Sequence, residues 1–309
     1  MTQPPSAGIP YALQNLHVGQ YYIRDDKTLI PCPPTVDPLS LPPPREVIKV
    51  LSKQMGRLVL QLDISYVTKE GSGVQPSEAE AMRLVFQHTD VPVPEVLFTE
   101  FHHVNEIPDP QHCLKRDLNL LDGWIGMAIA PGMPLTEKWD TLDGDAKESI
   151  CLQLWDLVAK IRTIAPPPKL SELYQCLADG SPSCDPMLKN LQWPPRPLLS
   201  DADVRARIYE RYLRFGGLRY KDQLPRMLPR SERSVLTHAD IAPRNVMVDE
   251  ESRVTGLLDW EWAGWHPDYW EYAQIMRPAF KGDWSGWMEG TAPQRWDLGG
   301  INAARKVLF

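Results

Sequence analysis

The chain has 309 residues, 43% hydrophobic and 24% charged, which is the mix of a water-soluble globular protein large enough for two lobes with their own cores. Its net charge of −7, with no long basic run, excludes a nucleic-acid partner held on a basic face. No segment approaches the roughly 20 apolar residues of a helical membrane span, and MTQPPSAGIPYALQNL lacks the basic and apolar regions of a secretory signal, so a cytoplasmic protein is expected.

The five cysteines, Cys32, Cys113, Cys151, Cys176 and Cys184, form no CxxC pair and read as reduced thiols. His102, His103, His112 and Cys113 cluster in sequence, but their spacing matches no common zinc pattern, and a polar loop is expected there.

In chain order, the proline-rich stretch Pro31 to Pro44 predicts an extended approach segment. Val47, Ile48 and Leu51 sit at helical spacing, predicting a short helix from Arg45 to Ser52. Two β-like runs follow, Arg57 to Leu62 and Ile64 to Thr68, joined by a tight bend. Ser77 with Glu80 three residues on has the spacing of a capping box, opening a helix that buries Met82, Val85 and Phe86. VPVPEVLF suits an edge strand or an extended connector. The apolar run from Trp124 to Ala130 stops at Pro131 and Gly132. A helix from about Asp145 to Ile164 is predicted from the period of Ile150, Leu154, Leu157, Val158 and Ile161, ended by the prolines at 166 to 168. Ser181 to Pro197 reads as an irregular loop, Asp201 to Phe215 as a helix, and Val235 to Val248 with Arg253 to Leu258 as hairpin-like strands.

Chemistry concentrates between Leu236 and Tyr272. His238 is followed by Asp240 and, five residues later, Asn245; an apolar run then leads to Asp259. Phosphoryl transfer calls for this set: one carboxylate to steer and deprotonate a hydroxyl, and hard oxygen ligands for magnesium. A turn joining two strands would gather the three groups at one end of a hairpin. The bland alternative is that Asp240 and Asn245 are turn formers and Asp259 a cap.

His238-Ala239-Asp240 through Asn245, then Leu258-Asp259-Trp260-Glu261, resembles the H-x-D-x(4)-N and I-D-W-E signatures of the aminoglycoside phosphotransferase and choline kinase superfamily, and AGWHPDYWEY is similar to its fungal branch. The resemblance, strongest from Asp240 to Glu261 and extending over roughly Arg45 to Pro278, implies an α+β, two-lobed protein-kinase-like fold. It divides the chain into a proline-rich extension (1–44), a nucleotide-binding lobe (45–127) and a catalytic, acceptor-binding lobe (128–309). It implies ATP and Mg2+, with Asp240 as base, His238 bracing the loop, and Asn245 and Asp259 as magnesium ligands. Lys69 would hold phosphates with Glu80 as partner and Glu78 as runner-up, and backbone groups of Ala128 and Ala130 would hold adenine. Ala239 stands where the family usually has glycine, and neither GxGxxG nor GxxxxGK[ST] occurs; Gly56 is the candidate turn over the phosphates.

The expected activity is therefore phosphorylation of a hydroxylated small-molecule acceptor. The alternatives are a kinase-fold enzyme of elimination or cyclisation and a ligand-binding protein that transfers no phosphate. The absence of DFG and APE elements argues against a protein kinase. The acidic balance favours a cationic acceptor. Glu261 and Glu271 are candidates to receive its amine. The tryptophans at 260, 262, 265, 270, 284, 287 and 296 read as core before they read as an aromatic box.

Overall fold

The computed structural model describes residues 21–23, 29–31, 49–54, 57–61, 66–103, 121–277 and 282–309. The chain divides into two compact units, one of residues 1–76 and 95–129 and the other of residues 77–94 and 130–309.

In the first unit, β1 (Tyr21–Ile23) pairs antiparallel with β2 (Leu29–Pro31). A five-stranded antiparallel sheet is built from β3 (Lys49–Gln54), β4 (Arg57–Gln61), β5 (Tyr66–Gly71), β6 (Val96–His103) and β7 (Leu121–Ala128), in the order β3-β4-β5-β7-β6. Alternation drives this sheet: Leu58 and Leu60 of β4 are buried while their neighbours are half-exposed. The predicted strands at 57–62 and 64–68 correspond to β4 and β5, and the VPVPEVLF segment leads into β6, which forms a sheet edge. The helix expected over Arg45 to Ser52 is instead β3 from Lys49 onward. Residues four apart share a face in a strand as well as in a helix, so a run this short leaves the choice open. Pairing decides it: Val50 lies opposite Leu60 and Lys53 opposite Leu58, and Leu51 is exposed. The polyproline segment, apart from Pro31 in β2, and Gly56, His112 and Cys113 lie outside the described residues.

The second unit, from Ser77, takes in all but the first residue of α1 (Pro76–His88). The helix starts one residue before the predicted cap, because proline at a first helical position gives up only an N–H that has no helical partner. Ser77 is therefore inside the helix, its buried Oγ has no hydrogen-bond partner among the described residues, and no capping box forms. Met82 and Val85 are buried as expected, but Phe86 is exposed.

After β8 (Met133–Pro134) and the short α2 (Leu135–Lys138) comes α3 (Gly144–Ile161). Asp143 caps it by accepting the Ala146 N–H at 2.9 Å. Its five predicted apolar positions are all buried. Next come β9 (Cys176–Leu177), α4 (Asp201–Arg214), capped by Ser200, and α5 (Leu224–Met227). The remaining elements are β10 (Ser234–Thr237), β11 (Val246–Val248), β12 (Val254–Leu257), β13 (Gly264–Pro267), α6 (Trp270–Ile275), α7 (Trp284–Thr291) and α8 (Gly299–Leu308). α7 packs on α3, where Trp155 Nε1 donates to Met288 O at 3.0 Å, and α8 packs on α4 and α5. Trp260, Trp265, Trp270 and Trp284 are core residues.

Val235 to Val248 is not one hairpin. β10 pairs with β13 in the sheet β10-β13-β9, whereas β11 pairs with β12 in β12-β11-β8. The loop carrying Asp240 thus crosses from one small sheet to the other. Cys151 and Cys176 are free thiols, and burial pushes both up to about 12. No helix among the described residues is long and apolar enough to cross a membrane.

Candidate active site

β10 ends at Thr237, and the chain then runs through His238, Ala239 and Asp240 into a 3₁₀ turn over Pro243–Asn245. β11 starts directly after Asn245 and pairs with β12 so that Val246 lies opposite Leu257. This register brings Asn245 beside Leu258, whose N–H donates to Asn245 O at 2.8 Å, with Asp259 next in the chain. Asn245 Nδ2 in turn donates to both Asp240 O and Asp240 Oδ2 at 2.9 Å. Asp240, Asn245 and Asp259 are therefore gathered at one end of the β11–β12 hairpin.

His238 is fully buried and joins the two sides of the site. Its Nδ1 accepts the Asp240 N–H at 3.2 Å, which places the ring proton on Nε2, and that nitrogen donates to Leu258 O at 3.0 Å. Its ring packs on Trp260 with centroids 4.4 Å apart. Burial lowers its pKa against the opposing pull of Asp240 and Asp259, so the ring is neutral at physiological pH.

The site holds two non-glycine residues in the left-handed region, Ala239 in the loop at φ 65 and Asp259 after β12 at φ 66. Such a conformation costs a non-glycine residue about 1–2 kcal/mol and persists only where surroundings enforce it. At Ala239 the enforcing group is Glu271 of α6. Its carboxylate accepts the His238 N–H at 2.7 Å and the Ala239 N–H at 3.1 Å. Burial pushes Glu271 up to about 7, while those two N–H donors and the Arg162 charge pull it back. Glu271, read from sequence as a candidate for a substrate amine, is 1% exposed and serves the loop. Glu261 is half-buried and accepts the Trp262 Nε1–H at 2.6 Å.

Two arginines flank Asp240. Arg244 donates to Asp240 Oδ2 at 2.5 Å, and Arg277 comes within 3.8 Å of Oδ1. Arg244 had a visible signal, a cation four residues after the aspartate in the motif itself. Arg277 had none, because only the packing of α6 brings it there.

The other sequence-derived residues belong to other elements. Lys69 sits in β5, buried, opposite Val59 and Ile125. On α1, Glu80 is half-exposed whereas Glu78 is 1% exposed. The Ala128 N–H donates to Glu95 O at 2.9 Å, and the boundary between the two units falls between Ile129 and Ala130. Among the described residues no group of three or more His, Cys, Asp or Glu side chains could hold a metal ion.

A family model described as "Phosphotransferase enzyme family" matches residues 47–296, most of the chain and all of the loop above. The chain belongs to this phosphotransferase family. It is accordingly an enzyme of phosphate transfer. Among solved structures it is similar to the GDP complex of aminoglycoside 2'-phosphotransferase-IIIa, at 14% identity and TM-score 0.52, covering 84% of this chain and 81% of that one. It is also similar to the gentamicin complex of APH(2")-IIa, at 11% identity, TM-score 0.52 and coverage of 84% and 79%. ADP-bound APH(2'')-Ib matches at 12% identity, TM-score 0.51 and coverage of 84% and 80%. At these identities the likeness is one of fold: the kinase-like α+β architecture of the family, with an antiparallel sheet early in the chain and a mainly helical remainder. A comparison with curated proteins found no match.

Proposed function

We propose that the enzyme transfers the terminal phosphate of ATP to a hydroxyl of a small organic acceptor. The observation that carries this reading is the convergence of Asp240, Asn245 and Asp259 at one hairpin end, held by a neutral His238 and by Glu271. In it, Asp240 orients the acceptor hydroxyl and takes its proton as the oxygen bonds to phosphorus and ADP departs. Oδ2 of Asp240 is engaged by Arg244 and Asn245, so Oδ1 is the oxygen offered to the hydroxyl. Both His238 ring nitrogens are used by backbone groups, which makes it a positioning residue.

Asn245 and Asp259 fit a magnesium ion: with Nδ2 turned to Asp240, the Asn245 amide keeps its oxygen for a hard cation, and Asp259 adds a carboxylate beside it. Magnesium bound there would offset the phosphate charge. For the nucleotide we assign Lys69 and a carboxylate of α1 to the phosphates, Glu80 by resemblance and Glu78 by its depth. Backbone groups of Ala128 and Ala130 are assigned to adenine by the same resemblance. The neighbours crystallised with ADP or GDP support a nucleotide donor, and the gentamicin complex supports a hydroxylated small-molecule acceptor.

Calorimetric titration of ATP with and without magnesium, into wild type, Asp259→Ala and Asp240→Asn, tests the assignments. Binding that needs magnesium, is lost in Asp259→Ala and survives in Asp240→Asn is expected. In Asp240→Asn, turnover should fall by about 10²–10⁴, the usual weight of general base catalysis. Full activity in Asp240→Asn would remove Asp240 as the base.

A further inference from the structure

Between the end of β9 at Leu177 and the start of α4 at Asp201 the chain forms no helix or strand. A stretch of this length exceeds the roughly 12–15 residues beyond which a loop without secondary structure is uncommon and usually functional. Its ends meet where Leu198 O accepts the Tyr174 N–H at 2.9 Å and the Gln175 N–H at 3.1 Å. Arg207 of α4 reaches into the closed loop. It donates from Nη1 to Leu188 O at 3.0 Å and Asn190 Oδ1 at 2.6 Å, and from Nη2 to Arg196 O at 3.0 Å. One turn on, Arg211 donates to Pro186 O and, at 2.9 Å, to Lys189 O.

A cavity of about 180 Å³ lies in this loop, lined by Arg207, Gln175 and Asn190 together with Leu173, Leu188 and Leu198. A space of about 150 Å³ admits benzene, so a body of that size fits. Arg207 is 2% exposed, and its three bonds, all to neutral oxygens, use three of the five guanidinium donors. Asn190 Oδ1 also takes the Arg196 N–H at 3.2 Å, and the Asn190 NH2 is uncommitted among the described residues. The nearby carboxylates have other partners. Glu210 takes Arg196 Nη2 on both oxygens at 3.0 Å, Asp203 takes Ser200 Oγ at 2.7 Å, Asp179 takes Ser181 Oγ at 2.6 Å, and Asp185 takes the Met187 N–H at 2.7 Å. Among the described residues no carboxylate bonds to Arg207. Burial lowers its pKa, and the charges of Arg196 and Arg211 are set against those of Glu210 and Asp203. Recognition here therefore rests on donors at the cavity wall, not on a surplus of positive field.

We propose that this cavity binds a small organic acid, its carboxylate on Arg207 and its apolar body against the three leucines. Buried charges are ordinarily paired, and N–H···O bonds between two charged groups are about twice as strong as neutral ones, so the acid is preferred to its amide. Such a site is independent of the phosphate-transfer reading, since no residue from His238 to Asp259 lines it.

Isobutyrate, benzoate and phenylacetate are titrated by calorimetry into the full chain, each beside its primary amide. At least one acid is expected to bind, with its amide about ten- to a hundredfold weaker. Arg207→Lys keeps a cation but loses the planar fork, and should weaken the acid about tenfold or more while the amide changes little. Because Arg207 also ties the loop, Leu173→Trp serves as the second variant. It leaves the guanidinium and its three bonds in place, fills the space, and should abolish binding of the acid. Circular dichroism checks that both variants fold, and Leu173→Trp decides if Arg207→Lys does not. No binding of any of the acids would overturn the proposal. Equal binding of acid and amide would also overturn it, since the cavity would then be an apolar one only. Binding that survives Leu173→Trp would do so too, by placing the acid elsewhere on the protein.

Discussion

Glu271→Gln separates two forces that meet at one buried carboxylate. Desolvation pushes Glu271 from 4.5 up to about 7, while the His238 and Ala239 N–H groups, at 2.7 and 3.1 Å, favour the charged form. A folded-state value above the unfolded one means that the stabilising contribution is complete below about pH 4.5 and is lost as pH rises through about 7. At about 1.4 kcal/mol per pH unit, that interval corresponds to roughly 3 kcal/mol. Glutamine cannot ionise and carries no such slope. Its NH2 would confront one loop N–H, adding a pH-independent loss of about 1–3 kcal/mol. Urea unfolding of both proteins from about pH 5 to about pH 8 measures the difference and cancels the other titrating groups. The stability advantage of wild type should shrink by roughly 3 kcal/mol as pH rises. A flat difference, or one that grows with pH, would show that the loop N–H groups outweigh burial and that Glu271 is ionised in the fold.

On α1, Glu78→Gln is expected to weaken magnesium–ATP binding more than Glu80→Gln, because Glu78 is 1% exposed and Glu80 is half-exposed. Titration calorimetry of the two variants decides, and the reverse order would restore Glu80. Gly264→Ala should destabilise by about 2 kcal/mol or more, since the new methyl would collide with the Cys176 carbonyl and lie 2.6 Å from Leu177 Cα across the β9–β13 pair. Chemical denaturation checks this, and an unchanged midpoint would refute the tight fit.

Elements with a long period or a strong local signal were legible. The five apolar positions of α3 are spaced so that only a helix buries all of them, and α4 begins where Ser200 accepts the Asp203 N–H. The motif His238–Asp259 also predicted its own convergence, because Asn245 and Asp259 flank the two paired strands β11 and β12. Short segments were not legible. The apolar spacing around Leu51 fits either a strand or a helix, and hydrogen bonds to β4 settled it. Ser77 and Glu80 have the capping spacing, but Pro76 moved the helix start.

The sequence by itself placed the proposed reacting set, Asp240, Asn245 and Asp259, within one short motif where covalent spacing limits their separation. It also carried the family. Only the tertiary structure decided which distant side chains stand around Asp240. Glu271 and Arg277 reach the loop from α6 and its end, about thirty residues away in sequence, and no local pattern encodes which side chain a packed helix turns towards a distant loop. Nor does the sequence state the left-handed backbone at Ala239, which exists because Glu271 gathers two consecutive N–H groups in a site closed to water.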